Sequence, residues 1–251
     1  MKHQASSKKG ELIYGVQPVL EAIEAGKELD KIMIQRDSKN EQTAKLLSTA
    51  AQYKVPVVKV PQEKLNKITR KNHQGVVAYL SAISYASLDN VVSECFNQGK
   101  TPLILVLDRV TDVRNFGAIA RTAECMGVDA IVVPARGAAQ IGSDALKTSA
   151  GALNYIPVCR EQSLLQTVKY LKNSGLEVAA CTEKGSDKVF HQDFRGPLAI
   201  VMGSEEDGIS DDLIKVADFL AEIPMYGKIN SLNVSVATSM ILYEVNRQRH
   251  A

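Results

Sequence analysis

After a polar start at residues 1–10, expected to be a disordered tail, short apolar runs alternate with amphipathic stretches along the whole chain. KIMIQ at 31–35, VPVVKV at 55–60 and GVVAYLS at 75–81 read as strands, with a polar helix near 40–53 among them. They predict a small α/β domain over residues 11–83. Residues 84–100 lack a strong strand pattern, hold one short helix candidate (SLDNVVSECF) and are read as the interdomain linker. From Pro102 onward LILVLD, AIVVP, YIPV, LEVAAC, LAIVM and FLAEIP are separated by helical segments, and a long uninterrupted helix closes the chain. Such runs predict a second α/β domain over 101–251, built on a parallel sheet covered on both faces. Ligands of such sheets bind beyond the carboxyl ends of the strands. The residues after LILVLD, LAIVM and FLAEIP are therefore the candidates for chemistry.

A length of 251 residues with 45% hydrophobic and 23% charged residues suits two modest globular domains. No apolar run approaches the roughly 20 residues that cross a bilayer, and the lysines of the start precede no apolar stretch. A cytoplasmic protein without a membrane span is expected. Cys95, Cys125, Cys159 and Cys181 lie far apart, and the four histidines do not join them in ligand spacing, so neither disulfides nor a metal is expected. The net charge of +2 conceals a division: residues 1–98 carry 14 Lys and Arg against 10 Asp and Glu, and the remainder 16 against 18. The excess concentrates in Lys59, Lys64, Lys67, Arg70 and Lys71, which face one acid, Glu63. Such a run suits phosphate contacts or, more plainly, a solvated helix face.

Nucleotide signatures fail on inspection. GSEEDG at 203–208 has the glycine spacing of a phosphate loop, but Ile209 and Ser210 stand where Lys-Ser/Thr is required, and no GxGxxG follows a predicted strand. Three other segments hold the chemistry. In the first, Asp108 to Gly127, a helix is expected from Gly117 to Met126 with Gly127 as its stop. Arg121 offers a guanidinium fork near Asn115, or pairs with Glu124 or Asp108 on the surface. In the second, IVMGSEEDGIS, Gly203 allows close backbone approach to a ligand, and Glu205 either orients a polar partner or caps a helix beginning near Ser210. The third, IPMYGKINSLNVSVATSMILYEVNRQR, has a glycine loop and then a helix capped by Asn230 or Ser231. Leu232, Val236 and Met240, like Ala237, Ile241 and Val245, read as core by their spacing.

Together these segments resemble the three ordered motifs of the SpoU (TrmH-like) family of ribose methyltransferases, in the knotted SPOUT superfamily. The first motif is matched by Asn115, Gly117, Ala118, Arg121 and Thr122, the second by Gly203, Ser204, Glu205 and Gly208, and the third by Pro224, Ser231, Leu232, Asn233 and Ser235. LIYGVQPVLEAI near the start and NHQGVVA at 72–78 resemble the RNA-binding module of the subgroup that methylates guanosine in ribosomal RNA. Val113 stands where the family usually has proline and Glu206 where glycine is common.

The resemblance implies a deep trefoil knot, which connection rules alone argue against, and a homodimer with the site near the subunit interface. It implies S-adenosyl-L-methionine as cofactor and transfer of its methyl group to a ribose 2'-hydroxyl of RNA, most closely a guanosine of 23S ribosomal RNA, ahead of transfer RNA. Gly203, Ile223, Met225 and Leu232 would hold the cofactor, and Asn115, Arg121, Glu205, Ser231 and Asn233 would surround the reacting ribose. Arg121 matches the family's proposed proton acceptor. A free guanidinium keeps its proton well above neutral pH, which favours a role in steadying phosphate and alkoxide charge. The rival readings are a non-catalytic RNA-binding factor on the same fold, against which the five candidate catalytic residues stand, and a plain nucleotide-binding protein.

Overall fold

The apolar runs of the second half form strands, and the two at the centre of their sheet are covered at every residue. In a computed structural model of the chain, residues 12–38, 40–183, 185 and 187–250 are described; the expected tail at 1–10 lies outside them. The chain divides into two compact units, one of residues up to Ser84 with Gln140–Ser143, the other of Tyr85–Ala139 and Asp144 onward.

The first unit contains β1 (Leu12–Tyr14), α1 (Val16–Glu24), β2 (Leu29–Gln35), α2 (Glu41–Gln52), β3 (Val57–Val60), α3 (Gln62–Ile68) and β4 (Val76–Leu80). Its sheet has the order β1-β4-β2-β3, with β4 antiparallel to both neighbours and β2 parallel to β3. Val16, Val19, Leu20 and Ile23 of α1 and Leu46 and Ala50 of α2 bury one face of that sheet. The other face carries Met33, Val60 and Val77 against Leu65 of the short α3.

The second unit contains α4 (Leu88–Asn97), β5 (Leu103–Leu107), α5 (Val113–Cys125), β6 (Ala130–Pro134), α6 (Ser143–Thr148), β7 (Val158–Glu161), α7 (Leu164–Asn173), β8 (Glu177–Cys181), β9 (Asp187–Lys188), β10 (Leu198–Met202), α8 (Asp211–Val216), β11 (Phe219–Glu222) and α9 (Val234–Arg249). Its sheet runs β7-β6-β5-β10-β8-β11-β9, all pairings parallel. All five residues of β5 and of β10 are buried, as the continuous apolar runs require of a sheet covered on both faces. Alternate residues Ile104, Val106, Ala199 and Val201 pack with α4, α7 and α8. The intervening Leu103, Leu105, Ile200 and Met202 are equally buried and face the layer to which α5 and α9 belong.

Four expectations change. Residues 84–100 are no linker: Leu88 and Val92 of α4 are 4% and 2% exposed in the core of the second unit, so that unit begins at Tyr85. The strand expected at YIPV starts later, at Val158, and Tyr155 is exposed. Val236 and Met240 are exposed, the buried face of α9 being Val234, Thr238, Ile241, Leu242 and Val245. Finally, α5 starts at Val113, because the Asp112 carboxylate accepts from the N–H groups of Arg114 (2.9 Å) and Asn115 (2.8 Å). Val113 is thus the first helical residue, a position proline also suits. Gly127 ends the helix with φ +71° as expected.

Gly117 lies inside α5 because the helix passes close to α6: a Cβ there would sit 2.6 Å from Thr148 Cβ and 3.1 Å from Ala145 O. Alanine for glycine normally stabilises a helix interior by roughly 0.5–1 kcal/mol. Here Gly117→Ala is expected to destabilise by about 1–3 kcal/mol through overpacking. Urea unfolding checks the sign, and a gain in stability would show that the contact is not tight.

Candidate active site

Three loops leave the carboxyl ends of strands in this sheet: 108–112 after β5, 203–210 after the adjacent β10, and 223–233 after β11, which β8 separates from β10. The first two are clamped together. Asp108, 5% exposed, accepts from Ser210 N–H at 2.7 Å. Arg109 takes the left-handed conformation (φ +59°) and donates to Asp207 Oδ2 and to Gly208 O, both at 3.1 Å. Non-glycine residues at such φ carry a cost that surrounding contacts must offset, and here the two bonds from the guanidinium do so.

The second loop is a tight hairpin. Ser204 and Gly208 exchange backbone hydrogen bonds of 3.2 and 3.0 Å, and Gly208 adopts φ +66°. Gly203 is required by this hairpin itself: a Cβ would overlap the backbone of Gly208 and Ile209. The sequence-based reason for glycine, room for a ligand, is therefore replaced by loop closure. Glu206 is not among the residues with positive φ, so its backbone does not demand glycine.

The third loop is joined to the others by Asn233, which caps α9 in place of the expected Asn230 or Ser231. Its Oδ1 accepts from Ser235 N–H (3.0 Å) and Val236 N–H (3.4 Å). Its Nδ2 donates to Asn115 Oδ1 at 3.0 Å and to Glu205 Oε1. Glu205 Oε1 also accepts from Val234 N–H at 3.2 Å. Glu205 therefore assists the cap of α9, whereas the helix beginning at Asp211 has no side-chain cap at Ser210.

Under these loops lies a cavity of 520 Å³ lined by Gly203, Ile223, Met225, Leu232, Ser231 and Glu205, together with Cys181, Thr182 and Glu183. The volume is that of a small-molecule site. Burial pushes the Cys181 thiol up to about 12, so it lines the wall as a small apolar group. A second cavity of 370 Å³ is lined by Asn115, Arg109, Thr111, Asp112 and again by Glu205 and Val234. Glu205 and Val234 thus stand in the wall between the two cavities.

All four cofactor candidates line the first cavity, and Ser231 joins them. Asn115, Glu205 and Asn233 meet in one hydrogen-bonded node. Arg121 lines neither cavity. It is exposed on α5, and among the described residues it makes neither of the plainer pairings, since Asp108 is engaged by Arg109. Sequence reasoning missed Arg109 and Asp207, and gave Asp108 only as a surface partner; the signal available was an Asp-Arg pair directly after a strand end.

The site fits a cationic methyl donor: one cavity joins apolar groups (Met202, Ile223, Met225, Leu232) to the acids Glu183 and Glu205. A cavity at the carboxyl edge of a parallel α/β sheet is where such folds bind small ligands, and the matches to known proteins identify the class as a methyltransferase on the SPOUT plan. The SpoU rRNA Methylase family model matches residues 102–243, and the model for the RNA 2'-O ribose methyltransferase substrate-binding domain matches residues 12–86. A Staphylococcus saprophyticus protein assigned by name to the TrmH family of tRNA/rRNA methyltransferases is 38% identical over 95% of this chain and 96% of its own. The SpoU methyltransferase AviRb from Streptomyces viridochromogenes, solved with AdoMet, is 26% identical with a TM-score of 0.59, covering 95% of this chain and 90% of that one. A TrmH/SpoU tRNA modifying enzyme of A. aeolicus is 32% identical with a TM-score of 0.55, covering 63% and 84%. The chain belongs to the SpoU family, and is an S-adenosylmethionine-dependent RNA 2'-O-ribose methyltransferase.

Asn233→Ala removes the cap acceptors of α9 and is expected to lower stability by about 1–2 kcal/mol in chemical denaturation. Asn233→Asp, which keeps an acceptor but loses the Nδ2 donor, should recover only part of that loss.

Proposed function

We propose that the acceptor is a guanosine of large-subunit (23S) ribosomal RNA, methylated in the cytoplasm by a homodimer. The observation that carries the reading is the node of Asn115, Glu205 and Asn233, whose Glu205 stands in the wall of the 520 Å³ cavity. The substrate-binding domain ahead of the catalytic unit supports ribosomal RNA over transfer RNA, because the likeness to the A. aeolicus tRNA modifying enzyme covers 63% of the chain. Free cysteines throughout the described residues accord with a reducing compartment, and no helix of the described residues is long and apolar enough to cross a membrane.

S-adenosylmethionine supplies an electrophilic methyl on a sulfonium. The chain's own part is alignment, which supplies much of the rate in such a transfer. Gly203, Ile223, Met225 and Leu232 hold the donor in the 520 Å³ cavity. The target ribose approaches from the side of Asn115, across the wall formed by Glu205. Glu205 Oε1 is committed to Asn233 and Val234, so Oε2 is the oxygen available to orient the hydroxyl and accept its hydrogen. Ser231 stands at the same wall. Arg121 steadies the adjacent phosphate and the developing alkoxide rather than accepting a proton.

An exposed apolar stripe on α9 supports the dimer reading. Val236, Met240 and Tyr243 are 48%, 47% and 63% exposed at helical spacing, beside α5, to which Thr122 and Ser239 join them at 3.2 Å. Burying this stripe against a second copy would also cover Arg121 and bring it near a site. The segment after β11, in which Asn233 bonds Glu205 of the hairpin loop and α9 packs on α5, is the part of the chain that would form the trefoil knot implied by the family resemblance.

Labelled S-adenosylmethionine, incubated separately with undermodified ribosomal and transfer RNA, should label a guanosine 2'-oxygen in the ribosomal pool. Label only in transfer RNA would overturn the choice of substrate, and label in neither would favour the non-catalytic RNA-binding reading. Arg121→Ala should lower single-turnover rate at least about a hundredfold with cofactor affinity nearly unchanged, and lysine should rescue poorly. Near wild-type turnover in the alanine variant would return Arg121 to the plain helix surface.

A further inference from the structure

The first unit is electrically polarised along its strands. β1, β2 and β3 all end, and β4 begins, at one edge of the sheet, as the bonds Gly15 N–H to Val76 O (3.0 Å), Gln35 N–H to Gly75 O (2.8 Å) and Arg36 N–H to Val60 O (2.9 Å) require. Around that edge Arg36, Lys64, Lys67, Arg70 and Lys71 are exposed against three acids, Asp37, Glu41 and Glu63. At the opposite edge Glu24, Glu28 and Asp30 balance Lys27, Lys31 and Lys54, so no positive excess gathers there.

The loop that carries Arg70 and Lys71 is held in a fixed shape. Gly75 N–H donates to His73 Nδ1 at 3.0 Å, so the ring proton sits on Nε2, which reaches Asn66 Oδ1 at 2.8 Å. The imidazole is 7% exposed. Together these bonds maintain two consecutive left-handed residues, Gln74 (φ +50°) and Gly75 (φ +77°). A strained non-glycine residue on an exposed loop is retained where the surroundings over-determine it, and this one leaves the amides of Asn72 and Gln74 in solvent. Lys71 is fixed further by lying 5.3 Å from the centre of the Tyr14 ring. Arg36 and Arg70 have neither ion pair nor hydrogen-bonded side-chain partner among the described residues.

We infer that this edge, and the loop 70–75 in particular, is the surface by which the first unit grips RNA. Arg36, Arg70 and Lys71 neutralise backbone phosphates, and the exposed amides of Asn72 and Gln74 meet ribose or base edges. This rests on the reading of the chain as an RNA methyltransferase and adds to it the face on which the RNA lies. Preorganised charges suit a polyanion, because less side-chain and loop freedom is lost on binding.

The test compares two full-length double variants that each remove two positive charges: Arg36→Ala with Arg70→Ala at the proposed edge, and Lys27→Ala with Lys54→Ala at the opposite one. Binding to undermodified ribosomal RNA is measured across a salt series, with S-adenosylmethionine binding as the control for folding. The edge variant should bind about tenfold or more weakly and lose about 1.4–1.8 from the slope of log K against log salt, as two phosphate contacts require. The opposite variant should match wild type in both. Equal losses in the two variants, or none in either, would overturn the proposal. Wild-type protein that binds RNA but transfers no methyl group would refute the functional reading alone, and the comparison would still decide which edge binds.

Discussion

The two amide hydrogens and one oxygen of Asn233 connect three loops that would otherwise be independent. One hydrogen reaches Asn115 at the start of α5, the other Glu205 in the hairpin after β10, and the oxygen caps α9. Each partner belongs to a different strand–loop unit, so the node converts the carboxyl edge of the sheet into one preorganised surface. The bonds of the node are exposed, so their worth lies in fixing three loops to one another rather than in burial. The Asp108–Arg109 clamp on Ser210, Asp207 and Gly208 supplies the second tie. Between them they define the cavity.

This arrangement explains why residues that resemble catalytic positions also look structural. Asn115, Glu205 and Asn233 stabilise the start of α9 and shape the donor cavity with the same hydrogen bonds. Gly203 and Gly117 answer to backbone closure and helix contact. In the proposed reaction, what is left for direct chemistry is narrower: the second oxygen of Glu205, the Ser231 hydroxyl and Arg121. The last of these is exposed on α5 and does not line its own chain's cavity.

The fold was legible because burial on both faces leaves an unambiguous mark, a run such as LILVL in which no residue is polar. The motifs were legible as an ordered set. Boundaries were harder: Asp112 as the cap of α5 is one aspartate among several, and Gly117 suggested a start where tight packing demanded a glycine inside the helix. The spacing of Val236 and Met240 is equally good for a core and for a surface that a second copy covers, so periodicity could not separate the two. Arg109 was invisible because its importance comes from a left-handed backbone and from partners about a hundred residues away.

The central claim is that the node, rather than any single contact with the donor, organises the cofactor cavity. Asn115 tests it most directly, since it touches Asn233 and lines only the second cavity. Titration calorimetry of S-adenosylmethionine into wild-type and Asn115→Ala protein should give an affinity about fivefold or more weaker in the variant, the effect of roughly 1 kcal/mol for one lost hydrogen bond. An unchanged affinity in a folded variant would contradict the account.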